Sequence, residues 1–554
     1  MPFGIIDVHT DRPLPGTELL IRKEQAGIVI DGDTSELKRV MYKGNETILV
    51  PQPSDTDPND PLLWPRWKKE TAFVVLFLNN IIFAALPGPI IAPSTFALAG
   101  ILDVPITKIA ELSGYQLLIV GAIGPLVSVL AQKYGKRPQF LFAAVMGTLG
   151  TIICIAGSQQ MSYSTLLGGR MVQGLGTTAW ESLSLAAMGD MFYLHERGLR
   201  TSITVATLTC TPSLVSIIGG VLTQNRGWKT IFIASLPFNL LGLVGAIFFL
   251  PESQFRRPGG SGSAKAPAAA ESSWSEKQDT GAAVVEAESS DAAPTTPVKP
   301  RMTYWQSLAP WSGTYSEKAV GHLLSEIFVH LINPAVIWIQ LVSAVLISLY
   351  VVTAFITSQI WTPAPYNLNI AQNGYFYTGG FVGGVLATVA GPVCDWTART
   401  LSRLNGGVFE AEFRIPVNIF GVVFCSLGWF LFMWDVNNPR PDGYYLGAFC
   451  YGAASFGISI PSTAAGLYIL DSFPRHSTEV FILQMMIKNF LFYAFSTMMN
   501  TWAGTAGPGV IFRTWGIVSI ALLATCIPMY VFGKVNRKFM SDLYAKHKIF
   551  RAIG

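Results

Sequence analysis

Charge is scarce in this chain. Of its 554 residues only 13% are Asp, Glu, Lys or Arg, about half the roughly 25% of an average soluble domain. That leaves too little polar surface to solvate a water-soluble protein of this length. Half of the residues are hydrophobic and the mean hydropathy is +0.41. Metal-ligand spacing is missing as well. Cys154, Cys210, Cys394, Cys425, Cys450 and Cys526 are scattered singly through apolar runs, so they read as small packing residues and exclude a metal site or a disulfide framework. No Walker loop, dinucleotide fingerprint or Ser–His–Asp pattern in a polar domain is present. This excludes ATP-driven work by the chain alone and argues against an enzyme, a cofactor or a nucleic-acid partner. The apolar runs are continuous rather than alternating, which excludes a β-barrel. No signal peptide opens the chain, so the first apolar run is expected to direct membrane insertion.

What the chain has is apolar runs, near residues 69–92, 110–132, 138–158, 164–189, 199–222, 229–250, 335–361, 372–395, 415–435, 442–471, 480–503 and 510–535. Each approaches or exceeds the roughly 20 residues that a helix needs to cross about 30 Å of hydrocarbon. The expectation is an all-α, multi-pass membrane protein with twelve transmembrane helices. Basic residues concentrate in alternate loops: Lys133, Lys136, Arg137, Arg197, Arg200, Arg399, Arg403, Arg414 and Arg475, with Lys534, Arg537 and Lys538 after the last run. The intervening loops hold few, so both termini are expected to be cytosolic. The sequon at Asn45 would then lie on the wrong side for glycosylation.

Composition divides the chain further. Residues 1–68 read as a cytosolic arm, 69–250 as a first six-helix bundle and 251–334 as a cytosolic linker, disordered about 256–300 where Ser, Ala, Gly, Pro and Glu dominate. Residues 335–535 read as a second six-helix bundle and 536–554 as a cytosolic tail. The halves echo one another at their helix ends: Gln132-Lys133-Tyr134-Gly135-Lys136-Arg137 against Asp395-Trp396-Thr397-Ala398-Arg399, and Asp190-Met191-Phe192 against Asp471-Ser472-Phe473. Such internal repetition is common in transporters.

The most informative polar residues lie inside the fourth run. An ionised group at bilayer depth costs a few kcal/mol on insertion scales and usually faces a wet cavity or a partner. Arg170 and Glu181 are eleven residues apart, close to three helical turns, so they share a helix face at roughly 16 Å separation. An uncompensated carboxylate at the depth of Glu181 is expected to have a raised pKa, which suits a group that takes up and releases protons. Arg170 either tunes that neighbourhood, snorkels toward the outer surface or locks its helix to another.

Arg170-x-x-Gln173-Gly174-x-Gly176 resembles the fourth-helix signature of proton-coupled exporters in the major facilitator superfamily. Gly135-Lys136-Arg137 looks like the tail of that family's motif between helices 2 and 3, with Asp395 and Arg399 as its second copy. Pro251-Glu252-Ser253 resembles the end of its sixth helix. The prolines and aspartates of 51–65, the Glu410/Glu412/Arg414 loop and Tyr468–Pro474 resemble the fungal twelve-span drug:proton antiporter branch. MPFGI at the start and His195-Glu196-Arg197-Gly198 are nearest its histidinol and polyamine transporter-like group. The chain departs from the family at Gln132 and Ser128, where the motif has Asp and Gly. The exporter motif of helix 5 is reduced to Gly219-Gly220, with Val215 and Ser216 in place of Gly-Pro.

These residues together imply the major facilitator fold and a proton-coupled transporter of small organic molecules, working by alternating access, as a monomer in the plasma membrane. Efflux of drug-like or secondary-metabolite compounds is the reading the resemblance favours. Proton-driven uptake of organic cations such as polyamines and a non-transporting membrane sensor are the alternatives. Glu181, Arg170 and Gln173 are the residues assigned to proton coupling. Asn79, Asn80, Gln116, Asn239, Gln340, Gln359 and Gln484 are neutral polar groups within runs, each either interhelical glue or a substrate contact. Lys136, Arg137, Asp190, Arg197, Asp395, Arg399, Asp471 and Lys488 are assigned to a cytosolic gate, Asp395 with Arg399 by their i,i+4 spacing, and Lys488 either snorkelling to the cytosolic face or pairing with Asp471 or Asp395. Glu410, Glu412 and Arg414 have the composition of a solvated loop.

Overall fold

The computed structural model describes residues 4–6, 14, 16–19, 39–42, 45–48, 53–54, 57–255, 300–406, 408–473 and 476–546. Most of the segment expected to be disordered, and Arg475, lie outside the described residues, as does the side chain of Arg197. The long helices are α1 (Arg66–Leu102), α2 (Ile106–Tyr134), α3 (Lys136–Gln160), α4 (Tyr163–Met191), α5 (Leu194–Arg226) and α6 (Lys229–Phe249). After the linker come α7 (Pro334–Trp361), α8 (Ile370–Leu404), α9 (Ala411–Asn437), α10 (Gly443–Ser472), α11 (Ser477–Ala506) and α12 (Pro508–Tyr544). Among the described residues ten of these are long and apolar enough to cross a membrane. The other two are 29 and 33 residues long; α4 is more polar, and several side chains of α5 lie outside the described residues. Each apolar run of the sequence lies on one of these helices.

Local chemistry sets the joints. Gly135, at φ +99°, ends α2 with its N–H on the Ala131 carbonyl at 3.0 Å, and α3 begins at the next residue. A side chain there would meet backbone strain, which is why glycine closes helices at this position. Ser162 opens α4 by accepting the Thr165 N–H on its hydroxyl at 3.4 Å. Pro508 opens α12 directly after Gly507, the order that favours a stop and a restart. Helices α1 and α7 share an irregularity: each contains a six-residue π-helical stretch, Asn80–Ala85 and Gln340–Val345. The chain of α1 then breaks at Leu86–Gly88, ahead of Pro89.

In the first half, Trp180 of α4 is fully buried between Phe83 of α1 and Phe140 of α3, with ring centroids at 5.7 and 4.7 Å. Small residues let α3 and α4 touch backbone to backbone. A Cβ added to Gly176 would stand 2.3 Å from the Gly147 α-carbon. Outward faces stay apolar: Leu241, Ile419 and Ile527 are each about two-thirds exposed.

The two halves meet along α2 with α11, α5 with α8, and α1 with α7. At the face away from the N-terminal arm the seam is tight. Gly220 of α5 leaves room for only 2.8 Å between an added Cβ and the Gly374 α-carbon, and Gln224 accepts the Ile370 N–H at 3.2 Å. Thr107 and Thr501 meet at 3.3 Å, and the rings of Tyr115 and Tyr493 at 5.0 Å.

The opposite face carries the arm and the linker. Strand β1 (Thr17–Leu19) pairs antiparallel with β4 (Val408–Glu410), in the register Thr17↔Glu410 and Leu19↔Val408; β2 (Arg39–Tyr42) and β3 (Asn45–Ile48) form a hairpin. A linker helix, Val320–Val329, lies against both α2 and α11. Beyond it His330 is buried against His476, ring to ring at 4.8 Å. Burial and that second imidazole push its pKa down to about 4.

Candidate functional site: a charge pair between the halves

Arg170 and Glu181 leave the same helix and meet different surroundings. Arg170 is 1% exposed. Its Nη1 donates to the carbonyl of Pro87 at the break in α1, to Gln116 Oε1 of α2 at 3.3 Å and to Gln173 Oε1 at 3.2 Å. The guanidinium also sits 5.3 Å from the Phe232 ring centre of α6. Gln173 passes the network on to Thr151 of α3 at 2.9 Å, which also accepts from Asn239 of α6 at 2.6 Å. Gln116 donates to Thr177 at 3.4 Å, and the Thr177 hydroxyl donates to the Phe83 carbonyl at 2.7 Å. Every partner belongs to the first half. Here the arginine lies beside a helix break and supplies donors to a carbonyl that the break releases.

Glu181 is compensated, contrary to the expectation of a lone carboxylate. Lys488 Nζ of α11 meets its Oε1 at 2.5 Å, with side chains 26% and 18% exposed. This also corrects the partner expected for Lys488: it pairs with neither Asp471 nor Asp395. The reason is packing, because α11 is laid against α2 and α4 of the first half rather than turned toward its own end of the second. Next to it, Asn489 is fully buried against Gly121 of α2, and both polar atoms of its amide lack a hydrogen bond. Asn489 is not among the span amides singled out from the sequence; its orphaned atoms appear only once the seam is built.

Of the other neutral candidates, all but Asn80 hydrogen-bond between helices. Asn79 donates to the Gly242 carbonyl at 3.1 Å, joining α1 to α6. Gln340 reaches the Val480 carbonyl at 3.3 Å, Gln359 the Asn500 carbonyl at 3.2 Å and Gln484 the Ser343 hydroxyl, all three joining α7 to α11. Asn80 is 3% exposed at the start of the π-helical stretch, and its Oδ1 has no hydrogen bond.

At the arm face each half has its own lock. In the first, the Glu252 carboxylate accepts the backbone N–H groups of Lys136 and Arg137, both at 3.0 Å, at the N-terminus of α3. Burial pushes its pKa up, against these N–H groups, which favour the charged form. Lys136 bridges to Asp190, and Arg137 donates to the last carbonyls of α6, among them Ile247 at 2.8 Å. A carboxylate from the end of α6 thus binds the α2–α3 joint, where Gln132 brings no charge.

In the second half Arg414 holds both acids assigned to the gate, Asp395 at 2.6 Å and Asp471. The i,i+4 pairing of Asp395 with Arg399 is therefore displaced, and Arg399 is exposed. Nor is the Glu410/Glu412 segment a solvated loop. Both glutamates are buried; Lys534 meets Glu410 at 2.8 Å, and Arg537 meets Glu410 at 2.8 Å and Glu412 at 2.6 Å. The basic residues after the last apolar run were legible only as topogenic charge. Their partners lie more than a hundred residues upstream.

Comparison with known proteins gives this arrangement its class. The Major Facilitator Superfamily model matches residues 71–490, and the chain belongs to that family. Over 96% of the chain and 94% of the relative, it is 23% identical to the uncharacterized MFS-type transporter C1271.10c of Schizosaccharomyces pombe. It is 28% identical to the efflux pump FUS6 of Gibberella moniliformis over 37% of this chain and 36% of that one. In fold it matches the xylose transporter XylE from E. coli in a partially occluded inward open conformation, with a TM-score of 0.53, 13% identity and coverage of 82% of this chain and 98% of that chain. The protein is therefore a multi-pass membrane transporter of the major facilitator type, and not an enzyme.

Proposed function

We propose that the protein is a proton-coupled secondary transporter of small organic molecules, with twelve spans in two bundles, both termini in the cytosol, and a site in the plasma membrane. The observation that carries this reading is the Glu181–Lys488 pair, because it joins the two halves across the seam. Rocking the halves apart breaks such a pair. Separating partly buried charges without new partners costs several kcal/mol, so the intact pair holds one conformation. A proton delivered to Glu181 removes one of the two charges and with it the restraint. Proton binding and opening are then linked at one pair of atoms. The unpaired amide of Asn489, one residue along, offers a donor and an acceptor to substrate or water in the opened seam.

Efflux is the direction proposed, in keeping with the partial similarity to FUS6, an efflux pump. Arg414 with Asp395 and Asp471, and Lys136 with Asp190, act as conformational contacts at the cytosolic rim. The test is transport in proteoliposomes with an imposed pH gradient, using a panel of organic cations and drug-like compounds. Accumulation opposite to the proton flow, lost in Glu181→Gln, supports the reading. Accumulation along the proton flow makes the protein an importer of organic cations, and binding without flux makes it a sensor.

A further inference from the structure

We propose that the second half binds a small alkylated ammonium at its end away from the N-terminal arm, on the Asp435 carboxylate within a box of aromatic rings. Asp435 stands in the last turn of α9, at the opposite end from β4. It is fully buried, and neither carboxylate oxygen makes a hydrogen bond. A buried charge is costly unless something meets it, and an unsatisfied one points to a missing partner. The cation it faces is Arg440, whose Nη2 stands 4.0 Å from Oδ1, too far for a hydrogen bond. A committed pair in the same chain looks different: Arg537 holds Glu412 with two bonds, at 3.0 and 2.6 Å.

The walls are aromatic. Phe432 lies one turn before Asp435 on the same face of α9. Trp361, at the end of α7, is fully buried, with its ring centre 6.3 Å from Phe432, 4.5 Å from Tyr366 and 6.0 Å from Tyr444. Its indole N–H also lacks an acceptor. Gly443, the first residue of α10, lets the carboxylate and the rings converge. An added Cβ there would stand 2.9 Å from Asp435 Oδ1 and 3.4 Å from the Tyr366 hydroxyl.

These groups select among cations. One carboxylate among rings supplies too few oxygens for a hard metal ion, which takes about six or more ligands. A primary ammonium would leave N–H groups without acceptors for the same reason. An alkylated ammonium turns its methyl groups to the ring faces and its charge to the carboxylate, the combination that aromatic boxes hold well.

Arg440 acts as a tethered competitor for that place. Its side chain is 52% exposed, and its guanidinium lies 4.6 Å from the Trp434 ring centre. Pro439 and Pro441 flank it, and its carbonyl accepts the Gly443 N–H at 3.0 Å. The backbone is therefore held while the side chain can swing toward Trp434 and yield the carboxylate.

The test uses the full-length chain in detergent, with choline as the probe and calorimetric titration as the readout. It needs neither a gradient nor flux, so its failure is separate from failure of the proton-coupled reading. Choline should bind saturably, and its neutral carbon isostere 3,3-dimethylbutan-1-ol should not displace it. Asp435→Asn should weaken choline binding more than tenfold. Arg440→Gln should strengthen it several-fold, because the competing cation is gone; an arginine that merely holds the site together would give the opposite sign. Displacement by the isostere at equal concentration would overturn the charge recognition. An Asp435→Asn chain that binds like the parent, or an Arg440→Gln chain that binds more weakly, would overturn the site, as would the absence of saturable binding in both the parent and Arg440→Gln. If Asp435→Asn does not fold, the sign of the Arg440→Gln effect decides.

Discussion

Arg170 and Glu181 occupy one stripe of one helix, yet what they do is set by which half supplies the partner. Arg170 finds Pro87, Gln116, Gln173 and Phe232, all in its own half. Glu181 finds Lys488, in the other. An interaction within a rigid unit persists through a conformational cycle and contributes to stability alone. One between two units differs in free energy between the states, and only such differences shift an equilibrium. On the proposed coupling, the contrast separates a structural charge from a working one by the half that supplies the partner.

The largest expected effect breaks the working pair. Lys488→Met leaves Glu181 without its cation, and gradient-driven flux should fall by roughly a hundredfold or more, in line with the ~3–5 kcal/mol associated with leaving one buried partner uncompensated. The double variant Glu181→Gln/Lys488→Met should recover downhill exchange but not accumulation against a gradient, as read by counterflow beside proton-driven uptake in the same vesicles. An undiminished accumulation in the double variant would sink the coupling role.

Arg170→Met should show the opposite pattern. It removes the donors to the Pro87 carbonyl and to two glutamines in a dry site, and a loss of about 3 kcal/mol in stability is expected. Thermal melting in detergent should drop by several degrees, while the pH dependence of whatever flux remains stays that of the parent. If Arg170→Met instead shifts that pH profile without lowering the melting temperature, the division drawn between the two residues is wrong.

A smaller effect sharpens the packing side of the comparison. Gly176→Ala, one turn and a half beyond Arg170, forces a methyl toward the Gly147 α-carbon and should cost about 1–3 kcal/mol. It should leave coupling untouched, as measured by the ratio of substrate to protons moved.

The smallest effect at neutral pH comes from His330, which lies off α4 altogether. Its pKa is lowered to about 4 in the folded protein, from 6.5, so the folded state binds fewer protons than the unfolded one between those values. The contribution is complete above pH 6.5 and is lost as pH falls toward 4, by at most about 3 kcal/mol. Melting curves from pH 7.5 to 4.5 should steepen in this sense, and His330→Phe should flatten the slope.

Much of the frame was legible in the sequence. Runs of about twenty apolar residues have one stable arrangement in lipid, while the joints at Gly135, Ser162 and Gly507-Pro508 were located by the structure. The polar residues were legible as residues but less so as pairs. Asn79, Gln340 and Gln359 read as either glue or substrate contacts, and only the structure shows which helices they tie. Lys488 was assigned to the wrong carboxylates, and Asp395 to the wrong arginine, because spacing along a helix rewards near neighbours while Arg414 and Glu181 arrive from other helices. The Glu410/Glu412 segment has the composition of a loop and the burial of a core. Nothing local to it announces Lys534 and Arg537.

The sequence by itself determined where helices run and where they stop, and which expensive charges stand among them. Those properties depend on hydrophobicity summed over twenty residues and on the conformational limits of glycine and proline. Tertiary structure alone decided who partners whom. A buried charge takes the nearest group of opposite sign in space, and that neighbour depends on how α4 and α11 are laid across the seam, hundreds of residues apart in the chain.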